Sequence, residues 1–331
     1  MSAEAAGKPI KLFFREAIAR AIAEAMEEDP SVIVLGQDVG AFGGSYKEFA
    51  GLYERFGAVR VRDTPVAEAS MVGLGVGAAA SGLRPLVSIT YMDFLMLGLD
   101  PLVNYAAKAR FKTAGQIRAP LVVKTTAGAK GQGVAHSQCL EAWLMAVPGL
   151  KVVAPSNPAD AYGLMKAALH ERGPVVFVDH KRLFPIVGAA PKDGAPTPIG
   201  VAKLLREGRD VTLTAHSYMT RIALAAAESL AGDGIHCDVI DLRSLAPLDV
   251  GLIAASVRRT GALVTLEEGQ LTCGVGAEVA ARVQESLGPV SALRIGAAPA
   301  PVSSSPVLEA SVIPNPARVA AAVKHWLRRT G

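Results

Sequence analysis

Residues 59–90 read VRVRDTPVAEASMVGLGVGAAASGLRPLVSIT. The apolar runs 59–61 and 85–90 are typical of buried strands. A helix is predicted between them, opened by Thr64 and by Pro65, whose missing N–H is tolerated there. A continuous apolar strand, a helix and a second such strand form the repeating unit of a parallel sheet that is covered on both faces. This stretch therefore predicts an α/β fold.

The same alternation continues on both sides of this stretch. Further strands are predicted at residues 32–35, 120–124, 151–154 and 174–178, with helical spacing between them. A segment rich in proline and glycine then interrupts the alternation, and a second series of strands and helices begins near residue 201. The sequence predicts two doubly wound α/β domains, residues 1–185 and 199–331, joined by a linker at residues 186–198.

Composition limits the classes of protein to consider. Of the 331 residues, 19% are charged and the formal net charge is +4, with no basic run that would indicate nucleic-acid binding. The three cysteines (Cys139, Cys237 and Cys273) form no CxxC pair and are typical of reduced thiols. Neither a membrane-spanning stretch nor a signal peptide is recognisable. We expect a soluble, cytoplasmic protein with no nucleic-acid or membrane partner.

Glu68 is the first candidate site residue. It falls in the first turn of a predicted helix that is rich in glycine and alanine, although each glycine costs about 1 kcal/mol relative to alanine. So many small residues indicate close packing against another helix or a neighbouring chain. A carboxylate in such apolar surroundings tends to have a raised pKa and a function. The alternative is an ordinary first-turn carboxylate favoured by the helix dipole.

His136 is the second candidate. It follows a loop containing Gly128, Gly131 and Gly133, and this loop follows a predicted buried strand. Loops at the carboxyl ends of parallel strands hold ligand chemistry in α/β folds, and a histidine there can exchange a proton near neutral pH. The alternative is an incidental histidine beside a helix cap at Ser137.

Two glycine motifs are weaker evidence for a binding site than Glu68 and His136. Gly75-Val76-Gly77 has the spacing of a dinucleotide site but lies within a predicted helix. Gly232-Asp233-Gly234 matches the start of a diphosphate–magnesium motif, but the asparagine that such a motif needs is missing. The end of a helix explains this second motif more simply.

A longer set of motifs is more specific, because several of them occur in order along the chain. Together they resemble the β subunits of pyruvate, branched-chain 2-oxo acid and acetoin dehydrogenases over nearly the whole chain. The resemblance implies a thiamine-diphosphate-binding domain of the pyrimidine type, followed by a transketolase C-terminal-like domain. The motifs include Gly36-Gln37-Asp38-Val39, Arg62-Asp63-Thr64-Pro65, Gly82-Leu83-Arg84-Pro85, His136-Ser137-Gln138 and Asp241-Leu242-Arg243.

The resemblance implies roles for individual residues. Glu68 would bond the aminopyrimidine ring nitrogen of thiamine diphosphate and so take part in catalysis. Phe94 would pack against the aminopyrimidine face, and Val66 would also contact the cofactor. His136 would be the second catalytic residue, relaying protons near the substrate and the incoming lipoyl group.

The resemblance also implies partners and ions. An α-type subunit would hold magnesium and the diphosphate within an α₂β₂ heterotetramer. A lipoyl acyltransferase core would receive the acyl group from a small 2-oxo acid or an acyloin. A potassium ion would be bound by main-chain carbonyls that map to Leu121, Ala168, Leu169, Glu171 and Gly173.

Some residues depart from the family pattern. Pro101 stands where glutamine is usual, Asp179-His180-Lys181 replaces Glu-His-Lys, and residues 298–306 lack the expected Pro-x-Pro-aromatic element. These changes leave the substrate open. Two alternatives also remain, namely half of a split transketolase and a non-catalytic assembly subunit.

Overall fold

The computed structural model describes residues 10–190 and 194–330, so positions 191–193 of the predicted linker lie outside the described residues. The first half of the chain contains these elements, in order: β1 (Lys11–Phe13), α1 (Phe14–Glu28), β2 (Val32–Gly36), α2 (Leu52–Arg60), β3 (Val61–Asp63), α3 (Glu68–Ala80), β4 (Arg84–Ile89), α4 (Met92–Leu95), a 3₁₀ turn (Met96–Gly98), a π-helix (Pro101–Ala106), α5 (Ala109–Lys112), β5 (Val122–Ala127), α6 (Glu141–Met145), β6 (Lys151–Val153), α7 (Pro158–His170), β7 (Val175–His180) and β8 (Val187–Ala189).

The second half continues the alternation of strands and helices. Its elements are β9 (Lys203–Arg206), β10 (Val211–Ala215), α8 (Ser217–Gly232), β11 (Cys237–Asp241), β12 (Ser244–Ala246), α9 (Val250–Thr260), β13 (Ala262–Gln270), α10 (Val275–Leu287), β14 (Ser291–Ala297), α11 (Pro306–Val312) and α12 (Pro316–Thr330).

The first sheet has the strand order β12-β6-β7-β5-β4-β2-β3, and all neighbours are parallel except the edge pair β12–β6. Successive residues of β4 point to opposite faces, as in any strand. Leu86 packs in the cluster formed with α1 and α7, whereas Val87 packs in the cluster that contains α3. Both faces of the sheet are therefore covered, which explains why its strands are continuously apolar.

The second sheet has the order β14-β13-β10-β11-β9, with β9 as an antiparallel edge strand. Helices α8 and α12 pack together on one face. On the other face, Ile253 and Val257 of α9 and Val279 of α10 join the same apolar cluster as α3 and β4 of the first half. The two halves thus share a continuous core.

The structure confirms the predicted fold class, since both halves are α/β. It differs in detail at three places. Helix α3 begins at Glu68 and not at Thr64, because the backbone is still non-helical at Ala67, which has φ −157° and ψ 73°. The predicted linker contains β8, which pairs antiparallel with β1. Strand β12 comes from the second half but pairs with β6 of the first sheet.

Candidate active site

The predicted site residues lie at the carboxyl ends of strands in the first sheet. Glu68 follows β3, Phe94 follows β4, and His136 follows β5. These strands run parallel, so their carboxyl ends meet at one edge, where α/β sheets bind ligands. The fold brings the three side chains to this edge, and their individual roles stay predictions.

Glu68 is the first residue of α3. The N–H of Thr64 donates to the carbonyl of Gly36 at 2.9 Å, which ties the residue after β3 to β2. The Glu68 side chain is partly buried, and within residues 10–190 and 194–330 its carboxylate has no hydrogen bond or ion pair. The helix N-terminus favours negative charge at this position, and because the carboxylate has no partner in the described residues it is available for a ligand.

The backbone of Glu68 also packs close to the element that carries Phe94. A Cβ added at Gly98 would come within 3.2 Å of the Glu68 carbonyl oxygen. Gly98 ends the 3₁₀ turn that follows α4, and Phe94 lies in α4. The first turn of α3 therefore lies against the segment next to Phe94. Val66, which lies two residues before α3, is 63% exposed.

Two aromatic rings contact the candidate histidine, and a third ring packs behind them. The ring centroids of Phe94 and His136 are 5.3 Å apart, and those of Tyr91 and His136 are 4.6 Å apart, both edge to face. This is a favoured geometry for aromatic pairs. Tyr46 contacts Tyr91 from behind, and burial together with Tyr91 raises the pKa of Tyr46 well above its ordinary value. The cluster holds the imidazole of His136 beside the Phe94 ring.

A buried ionic group that was not predicted from the sequence supports this cluster. Lys124 is fully buried in β5, with its Nζ 2.7 Å from Glu48 Oε1 and 3.0 Å from Asp179 Oδ2. Burial alone would lower the pKa of Lys124, but the two carboxylates outweigh this effect and raise it. Burial raises the pKa of Asp179 to about 6. Phe184 lies under the ammonium group and stacks on Tyr46, which joins the ionic group to the rings.

A lysine inside a continuous apolar strand was the available signal for this group. In the stretch Val122–Ala127 every residue is buried, so Lys124 has to find its partners inside the protein. The identity of those partners was not predictable, because Glu48 and Asp179 are distant in sequence.

A cavity of about 430 Å³ lies beside the His136 segment. Val134, Ser137 and Gln138 form one wall, and Pro299 and Pro301 form part of the opposite wall. Residues 298–306, which depart from the family pattern, therefore border the space next to the candidate histidine.

Four of the five carbonyls predicted to bind potassium already accept hydrogen bonds. Arg84 Nη1 donates to the carbonyl of Leu169 at 3.0 Å and to that of Glu171 at 2.9 Å. The carbonyl of Leu121 accepts from Val175 N at 2.9 Å, and that of Ala168 from Glu171 N at 3.2 Å. A guanidinium thus provides positive charge where the ion was expected. These contacts disfavour potassium there, and that site stays an untested prediction.

Other ion sites and membrane helices are absent from the described part of the chain. In that part, no group of three or more His, Cys, Asp or Glu side chains is arranged to hold a metal ion. Gly232 ends α8, as predicted for the Gly232-Asp233-Gly234 motif. Among the described helices, none is both long and apolar enough to cross a bilayer.

Comparison with known proteins finds two domains in the predicted order. The family described as "Transketolase, pyrimidine binding domain" matches residues 11–186, and "Transketolase, C-terminal domain" matches residues 200–319. A protein from Arabidopsis thaliana named pyruvate dehydrogenase E1 component subunit beta-1, mitochondrial, is 46% identical over 309 residues, covering 91% of this chain and 85% of that protein. The chain belongs to the family of 2-oxo acid dehydrogenase β subunits.

Other relatives of this β subunit agree with the assignment. The pyruvate dehydrogenase E1 component subunit beta of Rhizobium meliloti (strain 1021) is 41% identical over 315 residues, covering 94% of this chain and 68% of that protein. A solved structure described as "Split gene transketolase, inactive beta4 tetramer" superposes with a TM-score of 0.79 at 26% identity, covering 95% of this chain and 98% of that one. Because several relatives are named mitochondrial, the cytoplasmic location stays a prediction.

Membership in this family implies thiamine diphosphate as the cofactor. The observed residues fit the aminopyrimidine half of that group. Glu68 offers a carboxylate without a partner in the described chain, and Phe94 offers a ring beside His136. The predicted family is confirmed, and the fit makes Glu68, Phe94 and His136 the residues on which a functional proposal can rest.

Proposed function

We propose that this chain is the β subunit of an α₂β₂ thiamine-diphosphate-dependent dehydrogenase that acts on a small 2-oxo acid or an acyloin and passes the acyl group to lipoamide. Residues 1–185 would form the pyrimidine-binding domain and residues 199–331 the second domain. The observation that carries the proposal is the free carboxylate of Glu68 at the same sheet edge as the Phe94–His136 contact.

Each of these residues has a defined task in the proposal. The Glu68 carboxyl group holds a proton at the pyrimidine ring nitrogen, while Phe94 and Val66 orient the ring. His136 moves a proton at an imidazole nitrogen near the substrate, which its position between Tyr91 and Phe94 allows. Thiamine diphosphate, when bound, supplies the electron sink for cleavage next to a carbonyl carbon.

The proposal assigns the diphosphate and magnesium to an α-type partner. This assignment is supported by the incomplete Gly232-Asp233-Gly234 motif, which ends a helix in this chain. The outer face of α3 supports a partner as well. A Cβ added at Gly73 or Gly77 would meet nothing within 4 Å, and Leu74 is 55% exposed. A lipoyl acyltransferase core is the proposed acceptor-bearing partner.

The first experiment measures where the cofactor binds. We expect weak binding of thiamine diphosphate to the isolated chain and tight, magnesium-dependent binding after reconstitution with an α partner, measured by calorimetry. The structurally similar split-gene transketolase was solved as an inactive β4 tetramer, and inactivity is the behaviour expected of this chain alone. Tight magnesium-dependent binding to the isolated chain would contradict the division of the site.

The second experiment replaces Glu68 by glutamine in the reconstituted complex. We expect Glu68→Gln to slow deuterium exchange at the thiazolium C2 position and turnover by about 100-fold or more, as is usual when a proton-transfer group is lost. Assembly, measured by sedimentation, should be unchanged. Glu54→Gln, which changes an exposed first-turn carboxylate of α2, is the matched control. Unchanged exchange in Glu68→Gln would remove the assigned role.

A split transketolase is the second candidate, and the likeness to the solved split-gene transketolase favours it. The two functions differ in the acceptor. A complex that reduces lipoamide with 2-oxo acids is a dehydrogenase, whereas one that moves ketol groups between sugar phosphates is a transketolase. A complex inactive in both assays would support a non-catalytic assembly subunit.

A further inference from the structure

The loop that carries His136 is held in an unusual backbone conformation. Gly128, Gly131 and Gly133 have φ values of +89°, +74° and +79°, in the left-handed region that favours glycine. A Cβ added at Gly128 would lie 1.8 Å from Nε2 of His180, so the loop passes directly over that side chain. Its conformation is therefore fixed by contacts outside the loop.

Two carboxylates from the second half of the chain bind N–H groups of this loop. The N–H of Ala129 donates to Glu268 Oε1 at 2.6 Å, and the N–H of Gly131 donates to Glu309 Oε2 at 2.5 Å. Glu268 lies in β13 and Glu309 in α11, and both are nearly fully buried, with 7% and 6% exposure. Hydrogen bonds from N–H groups to ionised carboxylates are about twice as strong as neutral ones.

His180, the last residue of β7, and Arg182, which follows it, hold these carboxylates in place. Arg182 Nη2 donates to Glu309 Oε1 at 2.5 Å, and Arg182 Nε donates to the carbonyl of Ala129 at 2.7 Å. His180 Nε2 lies 2.9 Å from Glu268 Oε2. Burial opposes ionisation of Glu268, but His180 and the Ala129 N–H outweigh it and keep the pKa of this carboxyl below its ordinary value. Each carboxylate thus has one oxygen on the loop and the other on a basic side chain.

Lys181 extends the same set of contacts to the histidine itself. Its Nζ donates to the carbonyl of Gly128 at 2.8 Å and to the carbonyl of His136. The ammonium group also lies 5.0 Å from the centroid of the Tyr91 ring, which packs on the His136 imidazole. Lys181 therefore binds the main chain of His136 directly and contacts its ring only through Tyr91.

We propose that Glu268 and Glu309 are positioning residues, and that with the segment His180–Arg182 they fix the place of His136 in the active site. The second half of the chain would in this way control the geometry of proton transfer, beyond any part in assembly. This inference rests on the proposed function, because it assumes that His136 moves the proton. Misplacing a catalytic group by about 1 Å is enough to reduce rates by about 100-fold.

The first test is direct and needs no turnover. In Glu309→Gln, the buried charge that pairs with Arg182 and accepts from Gly131 is lost, so we expect faster hydrogen–deuterium exchange in a peptide covering residues 129–136, measured by mass spectrometry on the whole chain. Glu285→Gln, which alters a 71% exposed side chain of α10, is the matched control and should leave this peptide unchanged. Unchanged exchange in Glu309→Gln would overturn the inference.

The second test measures whether Glu309 acts through His136. In the reconstituted complex we expect Glu309→Gln to lower kcat by about 10- to 100-fold with little change in KM, and to leave deuterium exchange at the thiazolium C2 position unchanged. In a His136→Ala background, Glu309→Gln should lower kcat by less than about two-fold, because residues that act as a unit are not additive. Equal losses in both backgrounds would show a general structural effect and refute positioning.

A milder variant controls for misfolding of Glu309→Gln. Glu309→Asp keeps the charge but shortens the side chain, so we expect a kcat between those of wild type and Glu309→Gln. A wild-type kcat in both variants would also overturn the inference. If instead the wild-type complex shows no thiamine-dependent turnover, the proposed function fails, while the exchange experiment still decides how the loop is held.

Discussion

The buried carboxyl group of Glu141 should make the stability of the protein depend on pH. It begins α6, is 3% exposed, and burial together with Glu268 and Glu267 raises its pKa to about 8 from an ordinary 4.5. Its nearest basic group is His216, whose Nε2 lies 4.0 Å from Glu141 Oε1, but burial lowers the pKa of His216 to about 4. His216 is thus neutral above pH 5 and does not compensate a Glu141 carboxylate.

The sign of the pH dependence follows from these pKa values. A carboxyl group whose pKa is higher in the folded protein binds its proton more tightly there, so the free energy of unfolding falls as the pH rises from 4.5 to about 8. At about 1.4 kcal/mol for each pH unit, the loss over this interval is at most about 5 kcal/mol. Glu141→Gln keeps the shape and cannot ionise, so it should escape this loss.

Thermal unfolding at several pH values tests the prediction. We expect Glu141→Gln and wild type to unfold within about 2 °C of each other at pH 5, and the variant to unfold about 10 °C higher at pH 8, taking about 2–4 °C per kcal/mol. The contribution of His216 is common to both proteins and cancels. Glu285→Gln should show no pH-dependent difference from wild type. A difference that stays constant from pH 5 to pH 8 would refute the burial argument.

The remaining predictions concern the ionic group, the arginine contact and one helix. Lys124→Met should lower the free energy of unfolding by about 3–5 kcal/mol, measured by denaturant titration, because it leaves two buried carboxylates without a cation. The melting temperature of the chain should be equal in potassium chloride and sodium chloride, because Arg84 already binds the carbonyls of Leu169 and Glu171. A higher melting temperature in potassium chloride alone would show that potassium binds after all. Gly75→Ala should destabilise the chain by about 1–3 kcal/mol, because its Cβ would lie 2.6 Å from a methyl carbon of Val87. Gly77→Ala, which meets nothing within 4 Å, should stabilise it by about 1 kcal/mol.

The parts of the fold that follow from local patterns were predictable from the sequence. Continuous apolar runs gave the parallel strands, and proline and glycine marked the break between the two series. Strand β12 was not predictable, because its three residues carry no periodicity and its partner β6 lies almost a hundred residues earlier. Helix α3 was predicted to begin at Thr64, but it begins at Glu68, after the non-helical Ala67, and no local pattern marks this later start.

The candidate site also contains features that were predictable from the sequence and features that were not. The edge that collects Glu68, Phe94 and His136 follows from strand order, because loops after parallel strands lie on one side of the sheet. The contacts that hold His136 in place join residues from both halves of the chain. Glu309 binds the N–H of Gly131, although 178 positions separate them. Such pairings depend on the packing of the two sheets, which no local pattern encodes.

The pairing of β12 with β6 has a consequence for biosynthesis. The N-terminal sheet cannot complete its edge until residue 246 has left the ribosome, so the first 185 residues emerge with an unpaired strand edge. A nascent chain halted inside the predicted linker should therefore be more prone to aggregation than one released after Ala246. For the same reason, two co-expressed fragments divided in the linker would have to associate by pairing β12 of the second fragment with β6 of the first. A division placed after Ala246 would keep all strands of this sheet in one polypeptide.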